Sequence, residues 1–194
     1  MIVSMHEFPE HKVVYVEVPK ACCSSIKWSL RGVRNEITPE EFEDGDFHRW
    51  FGYNFVSEDS VRSNLASQYK DWKKFTVVRN PYRRFESLFN DGGKGKPDGS
   101  SIKEFIEGFE NGKWMNEQHG ALQSRIIGGD VSLFDFVGRA ENMIEVFDYM
   151  DSLFGCVDRT RQKKSLRGYR LDEEDMKSVY RIFEEDFNLL EYEK

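Results

Sequence analysis

Two short segments of this sequence carry residues suited to binding phosphate groups. In the first, VPKACCSSIKW, Lys20 follows an apolar run at 13–18 and precedes small and hydroxyl side chains. In the second, Arg79 follows KFTVV at 74–78 and stands eight positions before Ser87. The β-branched runs predict strands, and the apolar residues after each turn have the spacing of a helix. Each segment is therefore a strand, a turn and a helix N-terminus, where free N–H groups and the positive end of the helix dipole favour an anion.

Lys20 and Arg79 are expected at one edge of a sheet, because open α/β sheets bind ligands beyond the carboxyl ends of their strands. A guanidinium pairs bidentately with phosphate oxygens, and Ser87 would add a hydroxyl from the next helix. A ligand with two separate phosphate-type groups would use both segments. The sequence contains neither the dinucleotide-binding glycine pattern nor the Walker pattern GxxxxGK[ST], which argues against an ATP or GTP hydrolase.

The strands and helices predicted around Lys20 and Arg79 indicate a single α/β domain over 1–194. Strands alternating with helices favour a three-layer αβα sandwich with a mostly parallel central sheet. Residues 35–56 look irregular, with many aromatic side chains. Further helices are predicted at 57–72, from 81, from Ser100 or Ser101 to about 110, at 113–127, up to about 154 and at 172–188, and a third strand at 131–137.

Composition narrows the class of protein. A hydrophobic content of 39% with 14% aromatic residues is typical of a globular domain, and the net charge of −7 argues against a nucleic-acid binder. No apolar run is long enough to span a membrane and no signal pattern is present, so a cytoplasmic protein is expected.

Three cysteines without a CxxC pair predict neither a disulfide framework nor a zinc site. Six basic residues between Arg159 and Arg170, without an acid, are a candidate anion site, although such runs are usually solvated faces.

Taken in order, these segments resemble the PAPS-dependent sulfotransferases, in particular the carbohydrate O-sulfotransferase branch (sulfotransferase family 2 type). VPKACCSSIKW resembles the 5′-phosphosulfate loop of that family, and VVRNPYRRFESLF resembles its 3′-phosphate loop. NEQHGALQS, LFDFVGRAENM and YRIFEEDFNLLEY resemble three later segments. The chain departs from the family at Cys22 and Cys23, where smaller or hydroxyl residues are more usual, and in the short region between the two loops. The resemblance implies a P-loop-NTPase-like sulfotransferase fold.

The resemblance also implies an activity: in-line transfer of a sulfuryl group from PAPS (3′-phosphoadenosine 5′-phosphosulfate) to a hydroxyl acceptor, leaving PAP. The favoured acceptor is a carbohydrate or a glycosylated small molecule. Lys20 would be the cation at the leaving oxygen, Arg79 and Ser87 would hold the 3′-phosphate, and no metal is required. The 5′-phosphate would be held by the loop residues Ala21, Cys22, Cys23, Ser24 and Ser25. The basic run would close over the nucleotide through Lys163, Lys164, Ser165 and Arg167.

A histidine is the expected general base, because an imidazole pKa near neutrality suits proton abstraction. His48, which lies between the two phosphate loops, is preferred over His119, for which a structural hydrogen bond is the commoner role. Glu43 and Asp46 are further candidates. Two other functions remain open, a P-loop-like nucleotide kinase or hydrolase and a non-catalytic nucleotide-binding module. Later in the chain, Arg139 and Glu141 are expected to form a structural ion pair.

Overall fold

A five-stranded sheet forms the centre of the computed structural model, which describes residues 1–33, 54–91, 100–160 and 168–194. The strand order is β3-β1-β2-β4-β5. The strands are β1 (Ile2–Phe8), β2 (Val13–Val16), β3 (Asn54–Ser57), β4 (Lys73–Val78) and β5 (Phe136–Arg139).

The sheet is mixed, so the prediction of a mostly parallel sheet is wrong. Strand β2 pairs in parallel with β4, and β4 pairs in parallel with β5, as the strand–helix alternation predicts. Strand β1, in contrast, runs antiparallel to both β2 and β3. Residues 9–12 are the whole connection between β1 and β2. A connection that short allows only a hairpin, because a parallel pair requires a crossover of a dozen or more residues.

Eight α-helices accompany the sheet in the described residues. Among these residues, no helix combines the length and apolar character needed to cross a bilayer. The helices are α1 (Cys23–Leu30), α2 (Glu58–Ala66), α3 (Pro81–Asn90), α4 (Ile102–Glu110), α5 (Gln123–Ile126), α6 (Met143–Phe154), α7 (Glu173–Ile182) and α8 (Glu184–Leu189), with 3-10 turns at Pro9–His11 and Val131–Leu133.

Two helix starts are explained by local side chains. The Asn80 side chain accepts hydrogen bonds from the main-chain N–H groups of Tyr82 and Arg83, and Pro81 occupies the first turn of α3. At α4, Ser101 and Glu104 form a reciprocal capping box. Such caps satisfy N–H groups that have no partner within the helix. The starts of α3 and α4 are therefore determined by residues only two or three positions apart in sequence.

Several predicted elements differ from the structure. The helix predicted at 57–72 ends at Ala66, and the region predicted as irregular at 35–56 is described from Asn54, where β3 begins. The helix predicted at 113–127 is confined to α5, because the chain before it forms successive turns, in which the Glu117 and Gly120 N–H groups donate to the carbonyls of Trp114 and Glu117, three residues earlier. The strand predicted at 131–137 starts only at Phe136, since the Asp130 side chain accepts a hydrogen bond from the Ser132 N–H and starts a 3-10 turn. The helix predicted at 172–188 is divided at Phe183 into α7 and α8.

The two faces of the sheet carry different apolar clusters, because successive strand residues point to opposite faces. On one face, Val14 and Val16 of β2 pack with residues of α2 and α5, including Val61, Leu65 and Ile126. On the other face, Val13 and Tyr15 pack with residues of α1 and α6, including Ile26, Leu30, Val146 and Met150. A third cluster joins α3, α4, α7 and α8 through Phe85, Phe105, Phe109, Phe183 and Phe187. Helices α1 and α3 are thereby held with their N-termini just beyond the ends of β2 and β4.

Candidate functional site

The loop between β2 and α1 has an unusual backbone. Lys20 and Cys22 both have left-handed φ angles, +69° and +63°. This conformation costs a residue other than glycine on the order of 1 kcal/mol, and such strain is concentrated at functional sites. Cys22 is the N-cap of α1 but makes no side-chain cap hydrogen bond, and the first turn contains no acidic residue. Ser24 and Ser25 lie inside the first turn of α1, so neither residue is its N-cap. This helix start therefore suits an anion.

The five residues after Lys20 differ in how far they are buried. Ala21 and Ser25 are buried, at 0% and 1% exposure, whereas Cys22, Cys23 and Ser24 are half-buried. The half-buried hydroxyl of this loop is therefore that of Ser24. Burial, followed by the negative charge of Glu17, raises the pKa of the Cys23 thiol to about 11. Cys23 thus stays a neutral thiol at physiological pH and adds no negative charge to the loop.

Arg79 is brought directly against the Lys20 loop. It follows the last residue of β4, and its Nη1 donates a hydrogen bond to the main-chain oxygen of Lys20 at 3.0 Å. Within the described residues, the Nε and Nη2 groups of Arg79 make no hydrogen bond. The structure therefore brings together the two basic residues that the sequence places at neighbouring strand ends, and Arg79 keeps donors for a ligand.

Helix α3 turns one face toward the same loop. Arg84, Ser87 and Asp91 are spaced by three and four positions, which places them on one side of a helix. The Nε of Arg84 donates to the main-chain oxygen of Pro19 at 3.0 Å. At the C-cap of the helix, Asp91 accepts from Lys20 Nζ at 2.5 Å. Ser87 lies between Arg84 and Asp91 on that side of α3 by helical spacing, and its side chain is half-buried.

Arg84 was missed by the sequence analysis, although it organises the site. Its guanidinium is buried, and three of its nitrogens donate to the main-chain oxygens of Pro19, Ala121 and His119, at 3.0, 2.8 and 3.2 Å. Burial lowers the pKa of Arg84 to about 10, partly opposed by the charge of Asp186. The side chain therefore ties the Lys20 loop to the turn before α5.

A sequence signal for Arg84 exists. Five residues of α3 are buried: Pro81, Phe85 and Leu88 are apolar, whereas Arg84 and Glu86 are charged. An arginine at an inward position of an apolar helix face is buried only when its donors are satisfied. That rule predicts a structural hydrogen-bonding role for Arg84.

Gln123 and Asp186 hold the main chain at Arg79. Gln123 Oε1 accepts from the Arg79 N–H at 2.9 Å, and its Nε2 donates to the Arg79 carbonyl at 2.8 Å. Asp186 in turn accepts from the main-chain N–H groups of Gln123 and Ser124, at 2.9 and 2.8 Å. Burial raises the pKa of Asp186, while the charge of Arg84 and these two hydrogen bonds oppose the rise.

A buried charge cluster, Glu17 with Lys27 and His6, lies just before the Lys20 loop. Lys27 Nζ is 3.0 Å from Glu17 Oε1, and His6 Nε2 is 2.7 Å from Glu17 Oε2. Burial alone would raise the pKa of Glu17, but the hydrogen bond with His6 and the charge of Lys27 lower it to about 2. The cluster joins the end of β2 to α1 and so fixes the direction in which that helix leaves the loop.

The predicted ion pair between Arg139 and Glu141 is wrong. The Arg139 guanidinium lies over the Tyr192 ring, 4.5 Å from its centroid, and donates to the Leu190 carbonyl. Glu141 accepts from the Asn80 N–H and from the Tyr192 hydroxyl. Both residues therefore attach the C-terminal segment to the ends of the strands. These contacts join residues about 50 positions apart in sequence, so the short spacing between Arg139 and Glu141 could not predict them.

The two histidine candidates are placed differently. His119 lies in the turn before α5 instead of the predicted helix, and its carbonyl oxygen accepts from Arg84 Nη2. His48 lies outside the described residues, as do Glu43 and Asp46.

The basic run is described only at its ends. Arg159 pairs with Asp148 and Asp151, and Arg170 pairs with the buried Glu86. These two arginines therefore have carboxylate partners. The middle of the run lies outside the described residues, including the predicted nucleotide contacts Lys163, Lys164, Ser165 and Arg167.

Comparison with known proteins adds one finding. A family model described as sulfotransferase family matches residues 6–193, which include both loops and the C-terminal helices. The chain matches no curated protein and no solved structure at a significant level.

Proposed function

The chain belongs to the sulfotransferase family, and on that premise we propose that it transfers a sulfuryl group from PAPS to a hydroxyl acceptor. The observation that carries the proposal is the contact between the Lys20 loop and Arg79 at the ends of two neighbouring parallel strands. This contact places two basic side chains beside an uncapped helix N-terminus. A ligand with phosphate groups at both ends fits that arrangement.

The donors at this site match the two anionic ends of PAPS. The first turn of α1 and Lys20 would hold the 5′ end, because its N–H groups and the helix dipole favour negative charge. Arg79 would hold the 3′-phosphate through Nε and Nη2, and Ser87 Oγ makes no hydrogen bond within the described residues. Arg79 and Ser87 stand eight positions apart, and the proposal requires both donors to face the loop that carries Lys20.

The chemistry assigned to this chain is positioning and charge stabilisation. PAPS supplies a sulfuryl group on a phosphate leaving group, and negative charge develops on the oxygen that departs. Lys20 would neutralise that charge, which is the largest contribution a site of this type makes. Lys20 is paired with the exposed carboxylate of Asp91, so this contact has to be exchanged for the nucleotide. Carbohydrate or a glycosylated small molecule remains the proposed acceptor, with His48 as the base and His119 as its alternative.

The same proposal extends to the architecture. Helices packed on both faces of the sheet support a three-layer arrangement, although the sheet is mixed. We propose a single domain over 1–194, since strands, helices and the family match continue through the chain.

The first test is thermal unfolding with PAP, ATP or GTP. A ligand present at a hundredfold excess over its Kd adds about 2.7 kcal/mol of stability, which raises Tm by roughly 5–10 °C for a domain of this size. We expect this rise with PAP only, and expect Arg79→Ala to remove it. Arg83→Ala is the matched control, because the Arg83 side chain is 52% exposed and pairs with Glu86, which is not one of the proposed nucleotide contacts. Equal stabilisation by ATP would overturn the proposed donor.

The second test is sulfuryl transfer from PAPS to a panel of sugars and small alcohols in the presence of a chelator. Lys20→Ala should abolish transfer. His48→Ala should abolish it while PAP affinity is unchanged, and retained turnover would transfer the role of base to His119. Activity that requires a divalent metal and ATP would instead support a kinase. PAP binding with no transfer to any acceptor would support a non-catalytic nucleotide-binding module.

A further inference from the structure

Gln123 acts on the main chain of Arg79 in the way that a neighbouring strand would. Arg79 lies just beyond the last β4–β5 pair, Val78 with Arg139, so the sheet no longer fixes its peptide groups. The Gln123 side chain instead satisfies both the N–H and the carbonyl of Arg79, at 2.9 and 2.8 Å. Gln123 is fully buried. One side chain thus sets the backbone direction from which the guanidinium starts.

Asp186 sets the position of Gln123. Helix α5 has only four residues, and its N-cap, Leu122, supplies no side-chain hydrogen bond. Asp186, which is 63 residues away from Gln123, accepts from the first two N–H groups of α5. Since Asp186 is also fully buried, α8 holds α5 through a contact that excludes water. Movement of α8 would therefore be transmitted to Arg79.

We propose that Gln123, held by Asp186, is a positioning residue that aims the Arg79 guanidinium at the 3′-phosphate of the nucleotide. The inference rests on the proposed function and deepens it. A guanidinium recognises phosphate through parallel hydrogen bonds of defined direction, and a binding group must be held within about 0.5 Å and 10–20° of its productive geometry. Gln123 thereby determines how strongly the site prefers a nucleotide that carries a 3′-phosphate.

A purely structural role for Gln123 makes a different prediction. If Gln123 only stabilised the fold, its removal would weaken all nucleotides to the same degree. If Gln123 aims Arg79, its removal weakens the nucleotide with a 3′-phosphate and leaves the one without it unchanged. The ratio of two dissociation constants therefore separates the two roles.

The experiment compares Kd values for PAP and for adenosine 5′-monophosphate by titration calorimetry. Gln123→Met keeps the length of the side chain but removes both hydrogen bonds to Arg79. We expect the preference for PAP to fall at least tenfold, with the affinity for the monophosphate changed less than twofold. Asp186→Asn, which retains one acceptor oxygen, should lower the preference by a smaller factor.

Thr76→Val is the matched control. The buried Thr76 hydroxyl donates to the Val16 carbonyl at 2.9 Å, so this variant loses a buried hydrogen bond between β2 and β4 without removing a hydrogen bond made by Arg79 or Lys20. Its preference for PAP should equal that of the wild type. If Gln123→Met does not fold, Gln123→Glu, which keeps an acceptor for the Arg79 N–H, is measured by the same criterion.

The outcomes distinguish the inference from its premise. A wild-type protein that prefers PAP, together with a folded Gln123 variant of unchanged preference, overturns the inference alone. A wild-type protein that binds the two nucleotides equally overturns the proposed function, and the inference with it.

Discussion

Replacing Arg84 by lysine tests whether one buried guanidinium holds the candidate site together. The side chain of Arg84 is 3% exposed, and three different nitrogens donate to the carbonyls of Pro19, Ala121 and His119. Lysine keeps the positive charge but has a single nitrogen, which cannot reach the positions of all three guanidinium nitrogens at once. We expect Arg84→Lys to retain one of the three hydrogen bonds.

The expected cost follows from the two bonds that are lost. A hydrogen bond to a charged group contributes roughly 1.5–3 kcal/mol, so the loss of two such bonds should cost the variant on the order of 3–6 kcal/mol. That is a large part of the total of about 5–15 kcal/mol typical of a domain. Because 1 kcal/mol changes the Tm of a domain this size by about 2–4 °C, Tm should fall by roughly 6–24 °C.

The assay is urea unfolding of Arg84→Lys beside Arg83→Lys. The second variant carries the same substitution one residue earlier, where the side chain is 52% exposed and pairs with Glu86. A surface change of this kind is expected to alter stability by less than about 0.5 kcal/mol. PAP affinity is measured at low temperature, where both variants are folded. We expect it to fall at least about fivefold for Arg84→Lys and to stay unchanged for Arg83→Lys. The reason is that Arg84→Lys weakens the hold on the Pro19 carbonyl, which precedes Lys20.

Two results would refute this reasoning. If Arg84→Lys were no less stable than Arg83→Lys, the three hydrogen bonds would not carry the assumed energy. If Arg84→Lys were less stable but bound PAP as the wild type does, Arg84 would stabilise the fold without positioning the Lys20 loop.

Three further predictions concern other parts of the chain. The pKa of Glu17 is lowered from 4.5 to about 2, so its contribution to stability is complete above about pH 4.5 and is lost as the pH falls toward about 2. We expect the free energy of unfolding, measured with urea, to fall by roughly 3 kcal/mol over that pH range. The double variant Glu17→Gln, Lys27→Met lacks this carboxylate, so a similar fall with pH in that variant would contradict the assignment to Glu17. Asp91→Asn removes the 70% exposed carboxylate that pairs with Lys20. Under the proposed function Lys20 has to leave this partner to bind the nucleotide, so PAP affinity should rise about two- to fivefold; calorimetry showing weaker binding would exclude this competition. Ser101→Ala removes the hydroxyl half of a capping box and should cost about 1 kcal/mol in urea unfolding, whereas a neutral effect would mean that tertiary packing alone holds this helix start.

Much of the local structure was readable from the sequence. The start of α3 at Asn80 and Pro81 and the start of α4 at Ser101 depend on side chains that bond to main-chain groups two or three residues away. The two strands that carry the phosphate segments were predicted for a similar reason, since β-branched runs at 13–18 and 74–78 contain the pattern within a few residues. Local interactions of this kind leave a signal at fixed short spacing.

The antiparallel β1 was missed for the opposite reason. Residues 2–8 carry Ser4 and His6 at buried positions, and these polar residues hide the apolar pattern of a strand. His6 is accommodated by Glu17, a partner that becomes visible only when the two strands are paired. The prediction of a mostly parallel sheet failed because this hairpin was absent from it.

For the candidate site, the sequence by itself identified Lys20, Arg79 and Ser87 as candidate phosphate-binding residues, because residue type and spacing along a strand–turn–helix unit are local properties. Only the tertiary structure decided how these groups are held. Arg84 reaches carbonyls 35 and 65 residues away, and Asp186 caps a helix 63 residues before it. Contacts between residues so far apart in sequence leave no periodic pattern along the chain. They depend on which strands are neighbours in the sheet and on which helix crosses the ends of those strands.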